Sequence, residues 1–304
     1  MEAAALTQCA PGCWAFTQPP GGWFLNNAGL IPGRRRALVV DSLATAALER
    51  DFLVRTQPII RLETGLIVVN THSHADHVYG NALLPPSAIV VAHPVAAAEI
   101  TRIGLALAFD TPQVEWGDIA IRTPDVMVAD QIEVDLGDTT VSVLHLGPGH
   151  TRGDLVVWHE ATRTLYSGDL VMSQVTPFFL SGSPLAARAT LERLRSLRPV
   201  TIVPGHGVVG GPGLLEANIT YLDELLRTAA ELACSSLAPH QIRSHPGIVV
   251  PSGWVDPERH FVNLYAALCD LSPEIYGAQV DHRVAMELLG PMRLDPRLTV
   301  KSDL

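Results

Sequence analysis

The feature that most constrains the fold of this chain is segment 71–77, which reads THSHADH and directly follows an apolar run. Side chains alternate along an extended segment, so His72 and His74 are placed to share one ion, while Asp76 and His77 face a neighbouring position. Imidazole nitrogens and carboxylate oxygens are ligands for zinc-like ions. Buried without such a partner, each of these polar groups would cost about 1–3 kcal/mol. The segment therefore predicts a β-strand that leads into a metal site.

Three further candidate ligands follow predicted short strands later in the chain: His150, Asp169 and His206. Glycine precedes each of them, which permits the tight turn and close backbone approach that an ion site at a strand end requires. A single Gly-His or Gly-Asp pair would be weak evidence. Because all three occur in this order after segment 71–77, they favour one shared metal centre.

This ligand pattern resembles that of the metallo-β-lactamase-fold superfamily over residues 12–207. The resemblance implies an α/β fold, namely an αββα sandwich of two mixed β-sheets flanked by helices. It also implies two zinc ions, with iron or manganese as alternative divalent metals. By position, the first ion would be bound by His72, His74 and His150, the second by Asp76, His77 and His206, and Asp169 would bridge them.

Two positions distinguish branches of this superfamily. Class B β-lactamases have cysteine at the position of Asp169, so antibiotic hydrolysis is not expected. Flavodiiron oxidoreductases have glutamate at the position of His74, so dioxygen reduction is not expected either. The complete His/Asp set resembles the hydrolytic, glyoxalase-II-like branch. In that branch Asp76 is implied to be catalytic, as the group that orients the attacking oxygen and serves as base.

Three flanking segments resemble second-ring cyclases of aromatic (type II) polyketide pathways: residues 16–29, 176–183 and 259–265. That subgroup implies a di-zinc polyketide cyclase, which closes a ring of a carrier-bound aromatic intermediate by aldol reaction and dehydration, with or without thioester hydrolysis. Its partner would be an acyl carrier protein. The alternative is a di-zinc hydrolase of a small acyl thioester or lactone. A third hypothesis, a non-catalytic metal-binding scaffold, is disfavoured because Asp76 and Asp169 are both present.

A substrate of this kind requires a flat, largely apolar pocket with a few placed polar groups. The candidates to line it are Trp23, Phe24, Asn26, Phe178 and Phe179. Ordinary core packing is the alternative for each aromatic residue. Phe178 and Phe179 are the stronger candidates, because they lie in a loop shortly after Asp169 that has little else to hold it down.

The distribution of predicted elements divides the chain near residue 212. Residues 1–212 hold the predicted strands and all candidate ligands, and we expect them to form the catalytic domain. Residues 213–304 are predicted to be a helical C-terminal extension packed on that domain. Its helical stretches lie near 213–235, 257–271 and 281–289. Residues 104–130 are predicted to be an insertion, and we expect this insertion and the tail around 259–271 to cover the metal edge and exclude water.

Within the catalytic domain, short strands are predicted up to residue 70, one of them running from Trp23 to Ile31. Helices are predicted after Thr45, over 94–103 and over 185–197. Pro94 suits the first turn of its helix, where a missing N–H costs nothing.

Several polar residues have two interpretations. Asp41, at the end of a predicted strand, either orients a metal ligand or caps a helix. Thr151 and Asp154 are expected to orient ligands. The turn Arg34–Arg36 is either a solvated loop or a basic docking point for an acidic carrier protein.

The composition excludes several classes of partner. Lys and Arg number 21 against 31 Asp and Glu, a net charge of −10, which argues against binding to a nucleic-acid backbone. The start lacks the basic and apolar regions of a signal peptide, and no run approaches the roughly 18–20 apolar residues of a membrane span. The four cysteines lie outside the ligand pattern and are expected to be free thiols. We therefore expect a cytoplasmic enzyme without a nucleic-acid or membrane partner, and a homodimer is one alternative for its oligomeric state.

Overall fold

The first β-sheet carries the strand that leads into segment 71–77. The computed structural model describes residues 3–60, 65–235 and 237–299, and in this part of the chain the sheet has seven strands. They are adjacent in chain order: β1 (Ala5–Ala10), β2 (Cys13–Thr17), β3 (Ala28–Pro32), β4 (Arg36–Val40), β5 (Gly65–Val69), β6 (Ile89–Ala92) and β7 (Val126–Met127). β1 to β4 pair antiparallel, whereas β4 to β7 pair parallel. The carboxyl ends of β4, β5 and β6 therefore meet at one edge of the sheet.

The second β-sheet has the spatial order β12-β11-β10-β9-β8 among the described residues. Its strands are β8 (Gln131–Asp135), β9 (Thr140–Leu144), β10 (Val156–His159), β11 (Thr164–Met172) and β12 (Thr201–His206). β11 and β12 pair parallel, and the other neighbours pair antiparallel. The register of β11 shifts between Tyr166 and Gly168, where Gly168 has a φ of 51°. A bulge of this kind redirects the following side chain, here Asp169.

Helices flank both sheets. They are α1 (Ala46–Thr56), α2 (Ala75–Val78), α3 (Pro94–Ile103), α4 (Ala106–Asp110), α5 (Pro184–Ser196), α6 (Gly213–Ala233), α7 (Arg259–Leu271), α8 (Pro273–Tyr276) and α9 (His282–Leu289). Short 3₁₀ turns span Tyr79–Leu83, Glu160–Thr162, Pro239–Ser244 and Pro296–Leu298. Within the described residues, no helix is both long and apolar enough to cross a membrane.

The apolar core lies in layers between and outside the sheets. In β4, Leu38 packs between the two sheets with Val143 of β9, while Val39 packs on the outer side with Phe52 of α1. Successive side chains of a strand point to opposite faces, so burial of both faces produces a continuous apolar strand sequence. The predicted sandwich of two mixed sheets with outer helices and a helical C-terminal extension is confirmed.

The helical extension shares a core with the second sheet. Leu222 of α6 and Leu268 of α7 are buried in the same cluster as Ile202 of β12. The extension therefore packs on the sandwich, and the division into two domains at residue 212 stays a prediction.

Local signals in the sequence place several element ends correctly. The Thr45 side chain accepts a hydrogen bond from the Leu48 amide and caps α1, and Pro94 opens α3. The strand predicted from Trp23 to Ile31 is wrong in its first half. Strand β3 begins only at Ala28, because Phe24 has a φ of 62° in the preceding turn. All four cysteines, which lie in the described part of the chain, are free thiols as predicted.

Candidate metal centre

The seven predicted ligands lie together at the edge where the strands of both sheets end. His72 and His74 follow β5, and Asp76 and His77 lie in the first turn of α2. His150, Asp169 and His206 come from the loop after β9, from β11 and from the last residue of β12. They fall into two groups, each with ligand atoms within 4.8 Å of one another: His72, His74, His150 and Asp169, and then Asp76, His77 and His206.

In the first group, three imidazoles converge on one carboxylate. His74 Nδ1 lies 2.8 Å from His150 Nε2. Asp169 Oδ2 lies 3.4 Å from His150 Nε2 and 3.9 Å from His72 Nε2. Three ring nitrogens and one carboxylate oxygen therefore surround a single point.

The second group adjoins the first through the same carboxylate. Asp76 Oδ2 lies 3.3 Å from His206 Nε2 and 3.9 Å from His77 Nε2. Asp169 Oδ1 lies 3.2 Å from His77 Nε2, and its Oδ2 lies 3.6 Å from His206 Nε2. Asp169 thus contacts ligands of both groups, which is the position that a bridging ligand requires.

Unpartnered buried atoms test whether these residues fit a metal. His72 Nε2, His77 Nε2 and Asp169 Oδ1 are buried and make no well-aligned hydrogen bond among the described residues, although the last two lie 3.2 Å apart. An arrangement of this kind costs about 1–3 kcal/mol per group unless a cation binds there. The donor set of nitrogen and carboxylate oxygen is one that divalent ions such as zinc bind. The residues therefore fit two adjacent divalent ions.

The electrostatics of the first group favour metal-binding protonation states. Burial lowers the pKa of His150 to about 3 and also lowers the pKa of His72 and His74, so these imidazoles are neutral and keep a lone pair. Burial acts to raise the pKa of Asp169, but His77 and the other surrounding histidines lower it well below its usual range. The carboxylate is therefore ionised.

Asp41 orients one histidine of each group. Its Oδ2 accepts a hydrogen bond from His77 Nδ1 at 2.8 Å and another from the Thr71 hydroxyl at 2.8 Å, while Oδ1 accepts from the Thr71 amide at 2.7 Å. The Thr71 oxygen in turn lies 3.0 Å from His72 Nδ1. A proton held on each Nδ1 leaves the Nε2 lone pair directed into the centre. Of the two interpretations of Asp41, the structure supports ligand orientation, since Thr45 is the helix cap.

Other contacts fix the remaining ligand loops. His206 Nδ1 donates to the Gly21 carbonyl at 2.9 Å. The Asp154 carboxylate accepts from the Thr151 amide at 3.0 Å and from its hydroxyl at 2.6 Å, which ties the loop that carries His150. Thr151 and Asp154 therefore support a ligand loop, as the sequence predicts.

The sequence does not reveal the backbone and loop groups that support the candidate metal ligands. The Gly21 carbonyl is invisible to side-chain patterns, because any residue supplies a carbonyl. Ser181, whose Oγ lies 3.3 Å from His74 Nε2, belongs to the flanking segment 176–183, but its residue type alone does not indicate a role at the site. Gly205 does carry a signal, since a Cβ at this position would overlap Asp169 Oδ1. The glycine beside a ligand is thus required by close approach.

A cavity of about 660 Å³ opens beside the centre. Trp23, Phe24 and Phe178 line it, whereas Phe179 and Asn26 are not among the described residues that do. The role of the first three in binding a substrate stays a prediction, and the positions of the other two do not favour that role. The Phe179 amide donates to Asn263 and its ring is buried in the core, while the Asn26 side-chain amide donates to the Ser42 carbonyl.

The insertion and the tail both contribute walls to this cavity. Leu107 of α4 comes from the insertion, and Met286 and Leu289 come from α9. The prediction that these segments cover the metal edge is therefore confirmed in outline. Its detail differs, because α7 contributes Arg259 and otherwise packs in the core, so that α9 forms more of the wall than the predicted region 259–271.

The basic turn Arg34–Arg36 lies away from the cavity. It precedes β4, and the site loops follow the opposite end of that strand, about 13 Å away at a rise of about 3.3 Å per residue. Arg35 forms an ion pair with Asp135, and the Arg34 amide donates to Asp138 at 2.8 Å. These contacts favour the structural interpretation of the turn over a docking point beside the site.

Comparisons with known proteins agree with this geometry. A family model described as the metallo-beta-lactamase superfamily matches residues 21–206. The chain is 26% identical over 223 residues to a metallo-beta-lactamase type 2 of Bacillus sp. (strain 170), covering 69% of this chain and 79% of the relative. It is 26% identical over 247 residues to the acyl-coenzyme A thioesterase MBLAC2 of Bos taurus, covering 71% and 86%.

One further relative matches a shorter part of the chain, and one solved structure has a similar fold. The chain is 32% identical over 136 residues to a hydroxyacylglutathione hydrolase of Methylococcus capsulatus, which covers 45% of each chain. Among solved structures, a metallo-beta-lactamase from Pontibacter korlensis superposes with a TM-score of 0.58 at 20% identity, covering 72% of this chain and 99% of that one. At this identity the structural match supports the fold alone.

Proposed function

The chain belongs to the metallo-β-lactamase superfamily, and we propose that it is a metal-dependent hydrolase of acyl thioesters with two zinc ions. The observation that carries this proposal is the position of Asp169, which contacts ligands of both metal groups beside a largely apolar cavity. Two adjacent divalent ions suit hydrolysis of a carbonyl substrate. A scaffold without activity would not need a cavity that opens onto both groups.

The relatives support a thioester in particular. An acyl-coenzyme A thioesterase and a hydroxyacylglutathione hydrolase are both similar to this chain, and both names describe hydrolysis of a thioester. The chain is also similar to a β-lactamase. Asp169 nevertheless stands where the resemblance places cysteine in class B β-lactamases, which favours thioester over β-lactam hydrolysis.

Asp76 is the proposed catalytic residue. When bound, the two ions supply Lewis acidity that polarises the carbonyl oxygen and lowers the pKa of water. The Asp76 carboxylate lines the cavity, and although burial acts to raise its pKa, His77 and His206 lower the pKa well below its usual range. The ionised carboxylate accepts a proton from water as the water adds to the carbonyl carbon. The C–S bond then breaks and the departing sulfur takes up that proton, which yields a carboxylic acid and a thiol and returns Asp76 to its ionised form.

The aromatic part of the cavity wall supports a second candidate. Trp23 and Phe178 pack edge to face at 5.1 Å, and Phe24 lies beside them. A wall of this kind suits a planar polyketide, so a cyclase that acts on a carrier-bound aromatic intermediate stays a candidate, with an acyl carrier protein as its partner. The relatives support hydrolysis instead.

The cytoplasmic location, the homodimer and the lack of nucleic-acid and membrane partners stay predictions.

Thiol release from acyl thioesters distinguishes the two candidates. Metal-loaded protein is assayed with acyl-coenzyme A, acyl-glutathione and acyl N-acetylcysteamine thioesters, and separately with a carrier-bound aromatic polyketide. Hydrolysis at about 1–1000 per second with at least one thioester, abolished by a chelator and restored by zinc, is the expected result. Sluggish hydrolysis together with conversion of the polyketide would overturn the hydrolase proposal in favour of the cyclase.

A further inference from the structure

We infer that the cavity beside the metal centre is an acyl chamber that selects an uncharged, apolar acyl group by its length. This inference rests on the proposed thioester hydrolysis and goes further by naming the substrate class. The acyl chamber is the part of the cavity lined by Ile100, Leu107, Phe178, Val280, Met286 and Met292. The same cavity reaches Asp76 and Asp169, so a group in the chamber is continuous with a carbonyl at the metal centre.

The walls of the acyl chamber come from three separate parts of the chain. α3 and α4 supply Ile100 and Leu107, the loop after β11 supplies Phe178, and the tail supplies Met286 and Met292. Their side chains belong to the large apolar cluster or pack against it. Burying an alkyl group between such surfaces stabilises the complex in proportion to the area removed from water. Methionine, with its flexible thioether, adapts to alkyl chains of different shape.

The charges around the cavity exclude an ionic acyl group from the acyl chamber. Arg102 and Asp110 line the cavity, but both are exposed and lie at its rim. Arg259 is buried and its charge is paired, since its Nη2 lies 2.7 Å from Asp256 and its guanidinium lies 3.9 Å from the centre of the Trp23 ring, while its Nε has no hydrogen-bond partner among the described residues. Apart from the candidate metal ligands, the described residues that line the cavity thus offer no unpaired buried charge to a carboxylate or ammonium group, which would lose its hydration without compensation.

The direction of the substrate follows from this distribution. With the carbonyl at the metal centre and the apolar acyl chain between the tail and the insertion, the thiol half is left near the rim, where charged side chains meet solvent. A small hydroxylated acyl group would fill little of the acyl chamber. A chain of several methylene groups would fill more of it and would bind more tightly.

The test uses straight-chain acyl N-acetylcysteamine thioesters, whose thiol half carries no charge. We expect kcat/KM to rise about fourfold for each added methylene until the acyl chamber is full. Succinyl thioester, which adds a carboxylate, should be a poorer substrate than butyryl thioester of the same chain length. Met286→Trp should lower the ratio of kcat/KM for decanoyl over acetyl thioester at least tenfold. Glu287→Trp, at an exposed position of the same helix, should leave that ratio unchanged.

Binding separates this inference from the proposed function. The decanoyl amide, in which NH replaces the thioester sulfur, should bind the zinc-loaded protein in calorimetry. Leu107→Trp, on the wall formed by α4, should weaken this binding at least tenfold. If the amide binds in this way but no thioester is hydrolysed, the acyl chamber stands and the hydrolase proposal fails. If thioesters are hydrolysed at rates indifferent to chain length and to both substitutions, the acyl chamber is refuted and the hydrolase proposal stands.

Discussion

Replacing Asp41 by asparagine should weaken metal binding while the fold persists. The two Asp41 oxygens accept three hydrogen bonds, from the Thr71 amide, the Thr71 hydroxyl and His77 Nδ1. Asparagine has one oxygen and an NH₂ group. In one orientation the NH₂ group faces the Thr71 amide, and in the other it faces His77 Nδ1, so that two donors meet in either case. If the NH₂ group faces His77, the imidazole shifts its proton to Nε2 and loses the lone pair that would bind the metal.

The expected loss is about 10–100-fold in metal affinity, or about 1.4–2.8 kcal/mol, which is the usual scale for groups that orient a ligand. Because Thr71 also contacts His72, both ions should be affected. Competition with a chromophoric zinc chelator measures the affinity, and circular dichroism checks the fold.

Asp154→Asn is the matched control. The Asp154 carboxylate hydrogen-bonds to Thr151 and not to a ligand histidine, so the change should cost less metal affinity. An Asp41→Asn variant that binds both ions as tightly as the wild type would refute the reasoning that Asp41 holds the histidine tautomers.

Three further predictions concern substitutions of single residues. Asp76→Asn should lower turnover at least about a hundredfold, the scale for loss of a general base, with circular dichroism unchanged; a near wild-type rate at equal metal content would show that Asp76 is a passive ligand. Gly205→Ala should displace Asp169 and reduce the zinc retained after dialysis, so retention of all zinc would contradict the close approach. Burial raises the pKa of Glu49 from 4.5 to about 8, so the folded state binds its proton more tightly than the unfolded chain, and stability falls as the pH rises through this window. Glu49→Gln should therefore make the decrease in Tm between pH 6 and pH 9 smaller, and an unchanged decrease would exclude Glu49 as its cause.

The ligand set could be predicted from the sequence because its chemistry is local. His72, His74, Asp76 and His77 occupy one short segment, and few structures tolerate so many polar groups after an apolar strand. The strands β4 and β5 were predictable for the same reason, since both faces are buried and the apolar runs are continuous. Helix ends marked by Thr45 and Pro94 carry their own capping chemistry.

The pocket was harder to predict because its walls depend on tertiary packing. Phe178 and Phe179 are adjacent and alike in the sequence, yet one lines the cavity and the other is held towards the core by the bond from its amide to Asn263. The tail helix that lines the cavity, α9, has the same kind of apolar pattern as α7, which packs in the core. Periodicity identifies an apolar face and does not say which surface covers it.

The proposed dinuclear, metal-dependent hydrolase is best tested by measuring metal content and activity on the same protein sample. Protein purified without chelators is analysed by elemental analysis and by anomalous diffraction at the zinc edge, and its thioester hydrolysis is followed as metal is removed. We expect about two zinc-class ions per chain, one at each ligand group with Asp169 between them, and loss of activity when the metal is removed. One ion or none in protein that retains full activity would contradict the dinuclear centre.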